Sequence, residues 1–266
     1  MWKKFLLLWL LLPALLTGCR EKAMETAAWG LCFPQNGQPP TGPSTREQLL
    51  PYDAAFMGDP QEKTLYLTFD TGYEKGLTNG ILNTLKAHRV PAAFFVTGDY
   101  VRSQPELVRR MVREGHTVGN HAMHHRDITA LTDPKVLARE LLELEALLRQ
   151  VTGQEPEKFF RPPQGLYNRR TLELTRELGY RTVFWSLTYV DWGTQPTRSE
   201  ALCRLLPRTH SGAVILLHST SSASADILDT LLTRWTRAGY RFGTLQELFS
   251  ESGSSRDFPK LSTGRG

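Results

Sequence analysis

Five groups of polar residues in this chain have side chains that can act as acids, bases or metal ligands, and each follows a short apolar run. The first is Asp70, which comes directly after residues 65–69 and two residues before Gly72. The aliphatic, β-branched and aromatic residues of that run predict a buried strand. An acid in this position most simply caps the following helix. Because four further polar clusters also follow strand-like runs, we instead expect a site built on loops at one edge of a sheet.

The second group contains three of the chain's seven histidines within five residues. His121 and His125 are four positions apart, so one helical turn would place both imidazoles on the same face, as a divalent metal ion requires. The alternative is a loop with surface histidines. The local density of histidine favours the metal site.

The other three groups are each compatible with catalysis and with a structural role. Arg161 precedes two prolines, a glutamine and a glycine, a loop that holds a guanidinium in place or merely ends a strand. Asp191 is adjacent to the large apolar ring of Trp192. His218 follows the apolar run at 213–217, where a lone histidine is more often structural. Five such strand ends in one chain are not independent accidents, so a shared site is the favoured interpretation.

These groups must be positioned by a parallel sheet, because strand-like and helix-like segments alternate along the chain. About seven strands, each followed by a helix, predict an α/β fold whose sheet is either open or closed as a barrel. We favour a parallel, TIM-like incomplete (β/α)7 barrel. Three predicted helices end at a glycine in the left-handed cap position, at Gly115, Gly179 and Gly239. The predicted strands lie near residues 65, 92, 117, 159, 182, 213 and 240.

The N-terminus predicts export. Two lysines precede an apolar run at 5–16 that is too short for a comfortable bilayer span. The run ends in Leu-Thr-Gly-Cys, which looks like the lipobox of bacterial lipoproteins. We therefore predict a signal peptide at 1–18 and an acyl anchor on Cys19, which would hold the protein on a membrane outside the cytoplasm. A secreted protein and an uncleaved anchor are the alternatives, and all three are exported.

Composition is that of an ordinary globular chain with a weak excess of positive charge. The 266 residues are 40% hydrophobic and 22% charged, with a net charge of +5. No cluster of Lys and Arg is dense enough to predict a nucleic-acid partner, and nothing indicates an oligomeric state. The predicted parts are the signal peptide at 1–18, a tether or wrapped arm at 19–60, a catalytic domain at 61–250 and a disordered tail at 251–266.

The cysteines give little further information about the compartment or about a metal site. With Cys19 lipidated, Cys32 and Cys203 remain and could form one disulfide, although Cys203 lies in an apolar helical pattern where a buried thiol is usual. No Cys-x-x-Cys pair exists, so a thiolate zinc site is not expected.

Taken in order, the polar clusters resemble the polysaccharide deacetylase family (NodB-type, carbohydrate esterase family 4), over about residues 63–249. Within that family the chain is most similar to the delta-lactam-biosynthetic N-acetylmuramic acid deacetylases of spore-forming bacteria. The matching segments are Thr-Phe-Asp-Thr-Gly-Tyr at 68–73, Phe-Phe-Val-Thr-Gly at 94–98, Gly-Asn-His at 119–121, Arg-Pro-Pro at 161–163, Phe-Trp-Ser at 184–186 and Val-Asp-Trp at 190–192.

The resemblance implies a role for each cluster. Hydrolysis of an acetamide needs an activated water, stabilisation of the carbonyl oxygen and an acid for the departing amine. The implied roles are Asp70 as general base held by Arg161, His121 and His125 as metal ligands, His218 as general acid oriented by Asp191, Trp192 and Leu216 as walls for the acetyl methyl, and Tyr73 and Gln164 as further substrate contacts.

One departure concerns the metal. Most family members have a second acid directly after the catalytic one, and here that position is Thr71. A neutral hydroxyl is a weaker ligand than a carboxylate, so the resemblance implies a divalent metal, zinc by preference, with reduced affinity.

The sequence therefore predicts an exported, metal-assisted de-N-acetylase of peptidoglycan glycan. The expected substrate is peptide-free N-acetylmuramic acid, on the way to the muramic δ-lactam of spore cortex. Alternatives within the class are N-acetylglucosamine in peptidoglycan, chitin or another exopolysaccharide, and ester hydrolysis on acetylated xylan. A different class is a wall-glycan-binding lipoprotein without turnover, which would not need His218 and Asp191 together.

Overall fold

A computed structural model describes residues 26–34, 37–192, 194 and 196–252. The predicted signal peptide at 1–18, the predicted lipidation site Cys19 and most of the predicted tail, residues 253–266, lie outside the described residues. Among the helices that are described, none combines the length and the apolar character that a membrane span requires.

The strands are short, and the longest of them is buried along its whole length. It is β3 (Thr64–Thr71), which contains the apolar run that precedes Asp70. The strands of the described residues are β1 (Ala27–Ala28), β2 (Ala54–Ala55), β3 (Thr64–Thr71), β4 (Ala93–Val96), β5 (Thr117–Asn120), β6 (Phe159–Phe160), β7 (Leu166–Tyr167), β8 (Arg181–Val183), β9 (Val214–His218) and β10 (Arg241–Phe242).

Eight of these strands form one sheet in which every pairing is parallel. The order is β10-β3-β4-β5-β6-β8-β2, and β9 also pairs with β3. Two bridges, Leu187 with Ile215 and Met57 with Ala213, join the segments after β8 and β2 to β9, so the sheet curls back on itself. The predicted incomplete parallel barrel is confirmed. Its seven predicted strands are all present, and β2 from the N-terminal arm is an eighth.

The helices begin and end where local chemistry favours it. The longest, α5, starts at Pro134 after Asp133, whose carboxylate accepts the Lys135 N–H, and ends at Gly153 with φ 71°. The predicted glycine caps also have left-handed backbones. The helices are α1 (Arg46–Leu49), α2 (Thr78–His88), α3 (Gly98–Ser103), α4 (Pro105–Arg113), α5 (Pro134–Thr152), α6 (Arg169–Glu177), α7 (Arg198–Leu205), α8 (Ser222–Arg237) and α9 (Leu245–Ser252).

Alternation along β3 decides which side chains face the barrel interior. Leu65, Leu67 and Phe69 pack in the large cluster that includes the helices. Tyr66 instead packs with residues from β4, β6, β8 and β9. Because β6 and β8 do not neighbour β3 in the sheet, these contacts lie on the inside of the curl. Because successive side chains point to opposite faces, Thr68 and Asp70 face the interior with Tyr66. The fold therefore places Asp70 inside the barrel at its carboxyl end.

The described part of the predicted arm lies against the barrel. Strand β1 pairs antiparallel with β7, which follows the Arg161 loop. Trp29, directly after β1, is only 4% exposed and packs with Phe56, Tyr167 and Phe184.

Both cysteines of the described residues, Cys32 and Cys203, are free and exposed. The expectation of a buried Cys203 is wrong, because α7 directs Ala201 and Leu205 into the core and leaves Cys203 on its outer face.

Candidate active site

The base and the acid implied by the sequence lie side by side. Asp70 on β3 and His218 on β9 are register partners in the parallel sheet. Asp70 is the second-last residue of β3 and His218 the last of β9, and both lie on the inward-facing side at the carboxyl edge, where loops form ligand sites. The structure thus brings together two residues that are 148 positions apart in the chain.

Asp70 is held as a carboxylate by an arginine that has no contact with solvent. One carboxylate oxygen, Oδ1, accepts a hydrogen bond of 2.9 Å from Nη1 of Arg161. Burial alone would raise the pKa of Asp70, but the neighbouring imidazole of His121 and the guanidinium of Arg161 outweigh it and lower the pKa below its usual range. Asp70 is therefore ionised and able to accept a proton.

Arg161 is fixed by groups on three other segments. Its Nε donates to the Val183 carbonyl at 3.0 Å, its Nη2 to the Phe184 carbonyl at 3.3 Å, and its Nη1 to the Thr68 hydroxyl at 2.8 Å. The guanidinium also lies over the ring of Phe95, 4.3 Å from the centroid. A buried charge needs such compensation, and here every nitrogen of the guanidinium has an acceptor.

His121 is oriented as a metal ligand would be. Its Nδ1 lies 2.8 Å from the Arg161 carbonyl oxygen, which can only accept, so Nδ1 carries the proton and Nε2 has a free lone pair. Burial of the ring lowers the pKa of His121 to about 4, so the imidazole is neutral near pH 7. Its Nε2 lies 3.4 Å from Oδ2 of Asp70. Two lone-pair atoms that face each other at this distance favour a cation between or beside them.

His125 lies next to His121, but the backbone conformation that brings them together differs from the one that their spacing predicted. The rings of His121 and His125 lie edge to face, with centroids 4.8 Å apart. The predicted helical turn is wrong, since the segment is a loop in which Ala122 has φ 63° and His125 has φ 51°. Left-handed residues at both positions fold the loop back and bring the rings together.

Glu140 of α5 holds this loop in place. The residue is 4% exposed, and its two carboxylate oxygens accept from the backbone N–H of His124 at 3.0 Å and from Nδ1 of the same residue at 2.9 Å. Its carbonyl accepts from the Met123 N–H at 3.0 Å. His125 is therefore positioned by a buried carboxylate on a rigid helix.

A divalent metal ion fits this donor set, with an incomplete protein shell. Two neutral imidazoles are available, and their orientation by a carbonyl and a buried loop is typical of metal-binding histidines. Within the described residues no group of three His, Cys, Asp or Glu side chains is arranged to hold an ion. Thr71, in the position of the usual second acid, is fully buried, and its hydroxyl has no hydrogen-bond partner in the described part of the chain.

Replacing Thr71 with Asp is expected to raise the affinity for a divalent metal ion. The added carboxylate would be a buried charge that destabilises the metal-free protein and is compensated when zinc binds. Equilibrium dialysis with zinc should therefore show tighter binding, and the melting temperature should rise more on zinc addition than in the parent protein. Thr71→Asn is the neutral control of similar size. Equal zinc binding by both variants would show that this side chain does not face the ion.

His218 forms a second pair with Asp191. Its Nδ1 donates to Oδ1 of Asp191 at 2.6 Å, and its backbone N–H donates to Oδ2 at 2.9 Å. The hydroxyl of Ser224 also donates to Oδ2, at 2.7 Å. Burial lowers the pKa of His218, but the hydrogen bond and the negative charge of Asp191 outweigh it, so the pKa lies above its usual value. This shift favours the protonated ring, whose Nε2–H can be delivered as a proton.

The residues predicted to contact substrate lie at the carboxyl edge of the sheet, and they differ in how far their side chains are exposed to solvent. Leu216 is 4% exposed and precedes His218 by two residues, so it shares the inward face. Tyr73 and Trp192 are exposed on the loops after β3 and Asp191. Gln164 is exposed on the Arg161 loop with φ 58°. Their contacts with substrate remain predictions.

Three positioning residues were not identified from the sequence: Thr68, Glu140 and Ser224. Glu140 had a visible signal, because it shares the face of the apolar stripe of α5 that contains Leu137, Leu141 and Leu144. A charged residue on a buried helix face indicates a paired group. The other two act through contacts between distant segments, for which the sequence has no local signal.

Comparison with known proteins gives one consistent result. A family model described as polysaccharide deacetylase matches residues 57–183. The chain is 40% identical over 230 residues to the peptidoglycan-N-acetylmuramic acid deacetylase PdaA of Bacillus subtilis, covering 85% of this chain and 87% of that protein. It is 35% identical over 211 residues to the peptidoglycan-N-acetylglucosamine deacetylase PgdA of Listeria monocytogenes, covering 78% of this chain and 44% of that protein.

A solved structure gives the same answer for the fold. The structure of Bacillus subtilis PdaA, described as a family 4 carbohydrate esterase, matches with a TM-score of 0.81 and 39% identity, covering 86% of this chain and 98% of that chain. Sequence and fold thus agree over most of both chains. The protein belongs to the polysaccharide deacetylase family and is a deacetylase.

Proposed function

We propose that the protein removes the N-acetyl group from N-acetylmuramic acid in peptidoglycan strands that have lost their stem peptides, as a step toward the muramic δ-lactam of spore cortex. The observation that carries the proposal is the register pairing of Asp70 with His218, each held by its own buried partner. A base and an acid then face one space, as hydrolysis of an acetamide requires. The muramic acid specificity is supported by the similarity to PdaA.

Asp70 begins the reaction as the general base. Its ionised carboxylate takes a proton from water, and the water oxygen bonds to the acetyl carbon. Arg161 keeps the carboxylate in place through the 2.9 Å hydrogen bond to Oδ1 and does not occupy Oδ2. A divalent metal ion, zinc in our proposal, held by His121 and His125 would polarise the water and the carbonyl oxygen when bound.

His218 completes the reaction as the general acid. Nδ1 is occupied by Asp191, so the proton on Nε2 goes to the sugar nitrogen as the carbon–nitrogen bond breaks. The products are acetate and a free amine on the sugar. Asp191 stabilises the protonated ring before transfer and fixes its direction.

The site also supports related substrates. The similarity to PgdA, whose name specifies N-acetylglucosamine, favours that sugar as the second candidate, because the same base and acid would act on either acetamide. A glycan-binding protein without turnover is less well supported, since simple binding requires neither the Asp70–Arg161 pair nor the His218–Asp191 pair.

We further propose that the enzyme works outside the cytoplasm, anchored through a lipid on Cys19. The support is the sequence at 1–19, with its basic start, apolar run and terminal Leu-Thr-Gly-Cys. An acyl anchor of this kind would keep the enzyme at the membrane surface next to the wall.

The proposed substrate is tested by acetate release from purified glycan strands. Strands with stem peptides and strands treated with an amidase are compared, each with added zinc and with a chelator. We expect release from amidase-treated strands only, and its loss with the chelator. Release from N-acetylglucosamine oligomers alone would support the second candidate. Binding of strands without release under any metal would contradict the enzyme.

A further inference from the structure

Trp29 lies outside the segment matched by the family model, yet it touches the two segments that hold the catalytic arginine. Its backbone N–H donates to the Gly165 carbonyl at 2.9 Å, at the end of the Arg161 loop. Its indole Nε1 donates to the Trp185 carbonyl at 2.8 Å. The residue is 4% exposed, and its hydrogen bond to Trp185 is partly buried. Trp29 thus ties the loop that begins with Arg161 to the strand end that accepts from it.

The ring of Trp29 also supports the acceptors of Arg161. It stacks on Phe184 with centroids 4.4 Å apart and an interplanar angle of 20°. The carbonyls of Val183 and Phe184 accept from Nε and Nη2 of Arg161. A shift of Phe184 would therefore move an acceptor of the guanidinium.

The packing around Gly165 leaves no room for adjustment. A Cβ atom there would lie 2.8 Å from the ring of Trp185 and 3.0 Å from Cβ of Trp29, and the residue has φ +67°. The ring of Trp185 in turn lies 5.7 Å from the guanidinium carbon of Arg161. The arm, the loop and the strand end form one packed unit around the arginine.

We infer that Trp29 is a positioning residue for catalysis, through which the N-terminal arm sets the place of Arg161 and hence of Asp70. The inference rests on the proposed role of Arg161 in holding the base. It makes the arm a part of the catalytic machinery and not only a tether.

The test compares two Trp→Phe variants, each of which loses one hydrogen bond donated by an indole Nε1. Trp29→Phe removes the indole donor to the Trp185 carbonyl and keeps an aromatic ring on Phe184. Trp235→Phe is the matched control, because Trp235 is 1% exposed and donates through Nε1 to the Thr209 hydroxyl at 2.9 Å, in the helix layer away from Arg161. Both variants are made in the full chain and assayed by acetate release with zinc present.

We expect Trp29→Phe to lower kcat about tenfold with KM within about twofold, since small displacements of a catalytic group are costly in rate. Both variants should lower the melting temperature by similar amounts, because each loses one indole hydrogen bond. Trp235→Phe should keep the kcat of the parent protein. Hydrogen–deuterium exchange should increase at residues 161–165 and 183–186 in Trp29→Phe only. This second readout does not depend on activity.

Equal kcat in both variants, or equal exchange at the Arg161 segments, would overturn the inference. If the parent protein releases no acetate from any strand, the proposed function fails, and the exchange comparison still decides whether Trp29 holds the Arg161 loop. Where Trp29→Phe does not fold, Trp29→Tyr serves, because it likewise removes the indole donor and keeps a ring.

Discussion

Asp70→Asn is expected to reduce the rate of acetate release by about 10²- to 10⁴-fold, the usual contribution of a general base. Asparagine has nearly the same shape but cannot take a proton from water. Substrate binding should change little, so the loss should appear in kcat and not in KM. The measurement is the steady-state rate on amidase-treated glycan strands at saturating zinc.

The same change also costs stability, and this has to be separated from the loss of rate. Arg161 has no solvent exposure, so removing the charge of Asp70 leaves a buried cation without its counter-ion. Breaking a buried pair costs about 3–5 kcal/mol. Because Arg161 keeps the Thr68 hydroxyl and two carbonyls as acceptors, we expect the lower end of that range for the free energy of unfolding. Urea denaturation measures it.

Asp99→Asn is the matched control for this prediction. Its side chain is 79% exposed on α3, so the same chemical change there removes a charge without touching the site. It should keep both the rate and the free energy of unfolding. Should Asp70→Asn retain more than about a tenth of the parent rate while folded, the assignment of the base would be wrong.

The strand-end chemistry could be predicted because it depends on local pattern and one general rule. The alternation before Asp70 indicates a strand, and parallel strands bring their carboxyl ends to one edge. These two statements suffice to place Asp70 and His218 at the same edge. They do not give the register, which sets the two residues directly opposite each other and depends on pairing across the whole sheet.

The predictions that were wrong or left open concern features that depend on contacts between distant segments. A spacing of four predicted a helical turn for His121 and His125, but the loop is folded by left-handed residues and held by Glu140 of α5. The proline- and glycine-rich composition of the arm left a tether and a wrapped arm both open. The hydrogen bonds of Trp29 to Gly165 and Trp185 hold the described part of the arm against the barrel, and these partners lie more than a hundred residues away.

Asp191→Asn is expected to lower kcat by about 10²-fold or more and to move the alkaline limb of the pH–rate profile to lower pH. Burial lowers the pKa of His218, and the hydrogen bond and charge of Asp191 more than offset this in the parent protein. Without the negative charge of Asp191, the pKa of His218 falls. The acid form of His218 is then lost at a lower pH, and the rate falls with it. Profiles of kcat against pH measure the shift.

The free energy of unfolding should also depend on the titration of His218, and it should decrease as the pH rises. Because the folded pKa of His218 lies above its unfolded value, the protonated ring stabilises the fold at pH below the unfolded pKa. This contribution is lost as the pH rises through the folded pKa. The parent protein should therefore lose free energy of unfolding across this window, and the variant should lose less.

Ser224→Ala separates the charge of Asp191 from its hydrogen bonds. The Ser224 hydroxyl donates to Oδ2 at 2.7 Å, and its removal keeps the carboxylate and both contacts to His218. We expect the alkaline limb of this variant to stay near that of the parent, since the opposite charge remains. A shift as large as that of Asp191→Asn would mean that orientation and not charge sets the pKa of His218. An unchanged limb in Asp191→Asn would mean that His218 is not the acid, because its protonation would then not govern the rate.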